Sequence, residues 1–83
     1  MPLFLDVHNA LPEGATAKEV DDAHLADLEV QDRYGVRYIN YWVDVKEGKA
    51  FCLVEAPDAD AARACHRSAH GLLADEIYAV VQG

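Results

Sequence analysis

Two helix-start signals divide this chain and fix the order in which its helices and strands can follow one another. Thr16 is followed three residues later by Glu19, the spacing of a capping box, and Pro57-Asp58 opens a second helix. The segments before, between and after these helices are rich in β-branched and aromatic residues, which favours strands. The predicted order is therefore β-α-β-β-α-β.

Turn and capping residues set the expected boundaries of these elements. Gly35 is placed to end the first helix after Tyr34, and Lys46-Glu47-Gly48 forms a short hairpin turn. We predict strands over 3–8, 36–45, 49–56 and 76–81, and helices over 17–34 and 58–71.

This order predicts an α+β fold of the ferredoxin-like type, which is a four-stranded antiparallel sheet with two helices on one face. Right-handed crossovers place both helices on the same face and leave the other face bare in a monomer. We expect the alternating apolar residues of the first and second strands to face the helices: Leu3, Leu5, Val7, Ile39, Tyr41 and Val43. The alternate residues then face outward: Phe4, Asp6, His8, Tyr38, Asn40, Trp42, Asp44, Phe51, Leu53 and Glu55.

The expected outward face contains an apolar patch made of Phe4, Trp42, Phe51 and Leu53. Such a patch is too large to stay wet on a small monomer. We therefore predict a homodimer in which two sheets pack face to face, as in dimeric α+β barrels.

Length, charge and cysteine content limit the class of protein further. Residues 1–83 are enough for a single domain, and its formal charge of −8 disfavours nucleic acid and anionic lipid as partners. No membrane-length apolar run or signal-peptide pattern is visible, and Cys52 and Cys65 do not form a CxxC pair. We expect a cytoplasmic protein with reduced thiols and no membrane partner.

Two histidines one helical turn apart, His66 and His70, are the strongest chemical signal. Residues i and i+4 lie on one helix face, so both imidazoles can reach a single ion. Nickel, copper and zinc accept such nitrogen donors. A solvated helix face and a half-buried core histidine at position 66 are the alternatives.

A second polar set follows the first helix at His24, Asp27 and Gln31. Asp27 falls close to the apolar stripe of this helix, where a carboxylate needs a partner. It can be a metal ligand, an acceptor that fixes the tautomer of a ligating imidazole, or one member of a solvated stripe. Asp75 and Glu76, which follow the second helix, are further candidate oxygen donors.

The expected outward face also suggests a different kind of function. Asp6, His8 and Glu55 lie there among aromatic residues, and a cavity between two sheets can bind a small molecule. His8 with a neighbouring carboxylate can act as a general base. The alternative is therefore a dimeric α+β-barrel enzyme or small-ligand binder. Ordinary polar residues at strand ends explain the same pattern.

Four segments resemble a family of short bacterial proteins: H-L-A-D-L-E-V-Q at 24–31, G-V-R-Y-I-N-Y-W-V-D at 35–44, F-C-L-V-E-A-P-D at 51–58 and H-R-S-A-H-G-L-L-A-D-E-I at 66–77. The family is mostly of unknown function and includes an actinobacterial nickel-binding protein with a ferredoxin-like fold that forms a dimer. The matching positions are His24, Asp27, Gln31, Tyr41, Trp42, His66, His70, Asp75 and Glu76.

The resemblance implies nickel binding at a dimer surface, with no established enzymatic activity. Together with the histidine pair, it favours a cytoplasmic, dimeric Ni²⁺-binding protein that acts in metal homeostasis or storage rather than in catalysis. Cu²⁺ and Zn²⁺ suit the same donors. The expected ligands are His66 and His70, then His24, with Asp27, Asp75 or Glu76 supplying oxygen.

Overall fold

The computed structural model describes residues 1–83 and contains the predicted elements in the predicted order. The elements are β1 (Leu3–His8), α1 (Ala17–Tyr34), β2 (Arg37–Asp44), β3 (Lys49–Glu55), α2 (Ala59–Ala69) and β4 (Glu76–Val80). The bounds differ from the sequence-based ones by at most two residues at any end.

Both helices begin at the predicted capping residues. The Thr16 side chain accepts a hydrogen bond from the backbone N–H of Glu19, and the Asp58 side chain accepts one from Ala61. Helix α1 ends at Gly35, whose φ of 65° is the left-handed conformation that glycine adopts without strain. Helix α2 ends earlier than expected, so His70 lies at its C-cap instead of inside it.

The four strands form one antiparallel sheet in the order β2-β3-β1-β4. Strand β1 is central and pairs with both β3 and β4. This topology confirms the ferredoxin-like α+β fold. Neither helix is long and apolar enough to cross a lipid bilayer.

The predicted inward and outward faces of β1 were wrong. Phe4, Asp6 and His8 pair with the buried residues Val54, Cys52 and Ala50, so they lie beneath the helices. Leu3, Leu5 and Val7 instead pair with Glu55, Leu53 and Phe51 on the bare face. The prediction assumed that the more apolar alternate residues always face the core.

An irregularity in β2 explains why its face prediction was right from Asn40 to Asp44 but wrong at Tyr38. The register shifts between Tyr38 and Asn40, so Tyr38 lies under the helices although it was expected outside. Tyr41, past the shift, pairs with Cys52 and lies on the helix side as expected, and Trp42 lies on the bare face.

Small side chains line the contact between α2 and the sheet. The core contains Cys52, Val54 and Ala56 from the chain around β3, and Ala62 and Cys65 from α2. Because none of these side chains is long, they leave room for one larger side chain of α2 to reach β1. That residue is His66, which is 1% exposed.

Candidate metal centre

His66 lies at the centre of a buried cluster of charged groups. On α2 it is buried together with Ala62 and Cys65, which places it on the core face of the helix. Its Nε2 is 2.9 Å from Asp6 Oδ2 on β1, and its Nδ1 is 2.8 Å from Asp27 Oδ1 on α1. One imidazole therefore links three elements of the fold.

Asp27, His66 and His70 bring three donor atoms together. His70 Nε2 is 3.1 Å from Asp27 Oδ1 and 3.1 Å from His66 Nδ1. With the 2.8 Å separation of His66 Nδ1 and Asp27 Oδ1, these atoms form a nearly equilateral triangle. We call these three residues the Asp27 triad.

Asp6 and Tyr38 hold the opposite side of the His66 ring. The Tyr38 ring stacks on the imidazole with a centroid separation of 4.9 Å. The Tyr38 hydroxyl lies 3.3 Å from Asp6 Oδ2 and 3.3 Å from the Ala62 carbonyl oxygen, and either oxygen can accept its hydrogen bond. Burial raises the pKa of Tyr38 far above its usual range, so the hydroxyl remains a neutral donor.

The cluster is ionised in the metal-free protein. Burial alone would lower the pKa of His66, but the hydrogen bonds to Asp27 and Asp6 outweigh burial and raise it to about 11. Burial likewise pushes the pKa of Asp27 upward, and the hydrogen bonds from His66 and His70 reverse this and lower it. At neutral pH His66 is thus an imidazolium that lies between Asp6 and Asp27.

The hydrogen bonds of His70 assign its tautomer. The backbone N–H of Leu72 donates to His70 Nδ1 across 3.0 Å, so Nδ1 carries no proton. In neutral His70 the proton is therefore on Nε2, which donates to Asp27. This interaction anchors the segment that follows α2.

All four histidines of the chain line one pocket beside the Asp27 triad. The pocket encloses about 30 Å³, enough for one or two water molecules or an ion. The ring of His24 packs on Tyr41 at a centroid distance of 4.5 Å, and its Nδ1 is buried with no hydrogen-bond partner. A buried nitrogen without a partner beside a set of O and N donors fits a metal ion.

The remaining sequence-predicted site residues are used differently. Asp75 Oδ2 and Glu76 Oε1 accept hydrogen bonds from the backbone and side chain of Asn9, and neither residue lines the pocket. Gln31 Oε1 accepts a hydrogen bond from the backbone of Tyr38. The structure therefore brings together His66, His70, Asp27 and His24 and leaves Asp75 and Glu76 outside.

Sequence reasoning missed the contributions of β1 and β3 to the pocket. The alternation pattern predicts Asp6 and His8 on the opposite face, and the sequence analysis did not identify Cys52 as a pocket residue. The small residues at 50, 52 and 54 of β3 and at 56 just after it were the available signal, because small side chains on a covered strand face leave room for larger neighbouring groups.

Burial also affects the two pocket residues that sequence reasoning missed. It lowers the pKa of His8, and the neighbouring His66 charge lowers it further, so His8 is neutral. Burial raises the pKa of the Cys52 thiol, which therefore keeps its proton in the metal-free protein.

Comparison with known proteins places this fold and site in a family. The family described as "Nickel responsive protein SCO4226-like" matches residues 4–80. The crystal structure of SCO4226 from Streptomyces coelicolor A3(2) matches with a TM-score of 0.88 and 37% sequence identity over 98% of each chain. No curated protein matches the chain. The matched range covers nearly the whole chain, which therefore belongs to the SCO4226-like nickel responsive family.

Proposed function

We propose that this protein binds one divalent transition-metal ion, nickel in the cell, through the Asp27 triad. The supporting observation is the triangle of donor atoms with sides of 2.8, 3.1 and 3.1 Å. Two imidazole nitrogens and one carboxylate oxygen suit first-row divalent ions. The family description supplies the association with nickel.

The size of the triangle favours ligands that meet at right angles. Bonds of about 2.1 Å at right angles separate neighbouring donors by about 3.0 Å, whereas a tetrahedral angle separates them by about 3.4 Å. The observed separations of 2.8–3.1 Å match the smaller value. His24 Nδ1 is a candidate for a further donor, since it is buried without a partner and His24 lines the same pocket.

Charge balance also favours a divalent ion. Two buried carboxylates and one imidazolium leave the metal-free cluster with one excess negative charge. A divalent ion that displaces the His66 proton would make the cluster neutral, and unbalanced buried charge is costly. Asp6 would then accept a hydrogen bond from the other His66 nitrogen and hold the ligating ring in place.

Two proton movements accompany metal binding at these residues. The imidazolium of His66 must release one proton, so nickel affinity should rise about tenfold per pH unit around neutrality and above, until the pKa of about 11 is reached. His70 must move its proton from Nε2 to Nδ1, which breaks the hydrogen bond from the Leu72 N–H.

We further propose a role in nickel homeostasis or storage, without catalysis, in the cytoplasm. A site that is mostly buried and crowded by protein groups suits retention of an ion better than turnover of a substrate. Both cysteines are free and buried, as a reducing compartment permits. The same donors would bind Cu²⁺ more tightly and Zn²⁺ comparably, so the supply of metal sets the occupant.

We also propose that the chain forms a homodimer through the bare face of its sheet. Leu3, Leu5, Phe51 and Leu53 lie there beside Trp42, which is 51% exposed. Tyr78 of β4 adds another exposed ring to this face. A two-fold contact would bury the same apolar patch on both copies.

The alternative function, an enzyme with a cavity between two sheets, required Asp6 and His8 to face that cavity. Asp6 and His8 lie on the helix side of the sheet. Glu55 remains on the bare face and pairs with Arg37 across 2.7 Å. No acid–base pair faces the expected cavity, so we do not propose this function.

Calorimetric titration of Ni²⁺ into the wild type and a His66→Ala/His70→Ala variant tests the metal function. We expect the affinity to fall by at least about 100-fold, because two of three ligands are lost. The matched control is Arg63→Ala/Arg67→Ala, which removes two exposed side chains from the same helix. Unchanged affinity in the histidine variant would rule out this site.

A further inference from the structure

A second group of potential ligands shares His66 with the Asp27 triad. His8 on β1 and Cys52 on β3 lie next to it, and one ligand atom from each of the three residues lies within 4.8 Å of the others. All three side chains are buried. Their donors are one sulfur and two imidazole nitrogens, unlike the oxygen-containing triad.

We infer that His8, Cys52 and His66 form a second, sulfur-containing metal site that takes a tetrahedral, thiophilic divalent ion such as Zn²⁺. Thiolate and imidazole are the usual ligands of zinc, and three protein ligands leave one position for water or another group. Nickel at the Asp27 triad requires neither His8 nor Cys52.

The folding pattern gives both residues a fixed position. Cys52 pairs with Asp6 across β1 and β3, and His8 pairs with Ala50 one step further along the same face. The His8 ring lies 5.3 Å from the His66 ring, centroid to centroid. Because β1 and β3 are both inner strands of the sheet, backbone hydrogen bonds hold the two donors in place.

An unsatisfied oxygen beside this group independently favours a cation. Asp6 Oδ1 is buried and has no hydrogen-bond partner, although Asp6 Oδ2 binds His66. A buried acceptor without a partner is costly. A cation held by the cross-strand neighbour Cys52 would offset that cost, either through space or by taking this oxygen as a further ligand.

Binding at this site is an exchange of protons for metal with no change of oxidation state. The ion forms a bond to the Cys52 sulfur, and the thiol proton and the His66 imidazolium proton leave to solvent. Because neutral His66 offers one lone pair, the two sites compete for it. This last consequence rests on the proposed nickel site, whereas the sulfur site itself does not.

Cobalt titration tests the sulfur site directly, because Co²⁺ replaces Zn²⁺ and absorbs light. We expect a thiolate-to-cobalt charge-transfer band in the near ultraviolet and strong visible absorption typical of tetrahedral Co²⁺. The band should disappear in Cys52→Ser and persist in Cys65→Ala. Cys65 is the matched control because it is also free and buried, yet its Sγ lies 3.8 Å from the Asp27 carbonyl oxygen.

His8→Asn provides a second variant in case Cys52→Ser does not fold. We expect it to weaken Zn²⁺ binding, measured by competition with Co²⁺, by at least about 100-fold. Nickel should still bind to Cys52→Ser in the absence of zinc, which separates failure of the sulfur site from failure of the nickel site. Absence of the band in the wild type, or its persistence in Cys52→Ser, would overturn the proposal.

Discussion

The two faces of the sheet each hold groups that are unusual for their surroundings. The face covered by helices contains the buried polar residues Asp6 and His8 within an otherwise apolar core, while the bare face presents Trp42 and several leucines. Burying charge costs free energy, and so does exposing an apolar patch. These two costs favour the proposed metal site on one side of the sheet and the proposed dimer contact on the other.

Removing one charged side chain from each side of the sheet should give the largest contrast in the free energy of unfolding. Asp27→Ala leaves the buried His66 and His70 without their shared acceptor and should lower the free energy of unfolding by about 3–5 kcal/mol. Glu55→Ala breaks the exposed pair with Arg37 and should change stability little. Urea unfolding of the metal-free proteins measures both. Similar losses for the two variants would contradict the distinction between the faces.

Adding a charge to the bare face should change the oligomeric state. Trp42→Lys places an ammonium group at the centre of the apolar patch, so we expect a shift from dimer to monomer at tens of micromolar protein. Leu25→Lys is the matched control, because Leu25 and Trp42 are each 51% exposed but Leu25 lies on α1. If the wild type sediments as a monomer at this concentration, the proposed dimer is wrong.

Deprotonation of His66 should also make the metal-free protein less stable at alkaline pH. The pKa of His66 is raised from 6.5 to about 11 on folding, so its ion pairs stabilise the fold fully below pH 6.5. That stabilisation declines as the pH rises and is lost through about pH 11. Thermal unfolding across this range should show the decline in the wild type and a weaker one in His66→Gln. Equal slopes would contradict the assigned ionisation.

A smaller effect is expected at the end of α2. If Ni²⁺ moves the His70 proton to Nδ1, the Leu72 amide loses its acceptor and should exchange hydrogen faster in the metal-bound protein. The Asn9 amide, which donates to Asp75, is an internal control that should not change. Slower or unchanged exchange at Leu72 would indicate that His70 does not bind metal through Nε2.

Local signals in the sequence were sufficient for the fold. Capping at Thr16 and Asp58 and the left-handed Gly35 each depend on neighbouring residues, so the element order and bounds could be predicted. The i, i+4 spacing of His66 and His70 and the position of Asp27 near the apolar stripe of α1 marked these residues as candidates, although α2 ends before His70. Their shared contact depends on how α1 and α2 pack together, which spacing alone does not determine.

The face of β1 could not be predicted from alternation. Leu3, Leu5 and Val7 look like core residues, and only the tertiary contacts of Asp6 with His66 reverse that interpretation. The shift in β2 near Ile39 similarly moves Tyr38 to the covered face without a clear sequence signal. Buried polar contacts thus overrode the binary pattern on the strand face beneath the helices.

Diffraction at the nickel absorption edge from nickel-loaded crystals tests the metal centre most directly. The account predicts an anomalous peak for a nickel ion that is bonded to Asp27 Oδ1, His66 Nδ1 and His70 Nε2. Asp6 should remain within hydrogen-bond distance of His66 Nε2. A nickel ion found only elsewhere, for example at Asp75 and Glu76, with the Asp27 triad still joined by its own hydrogen bonds, would contradict it.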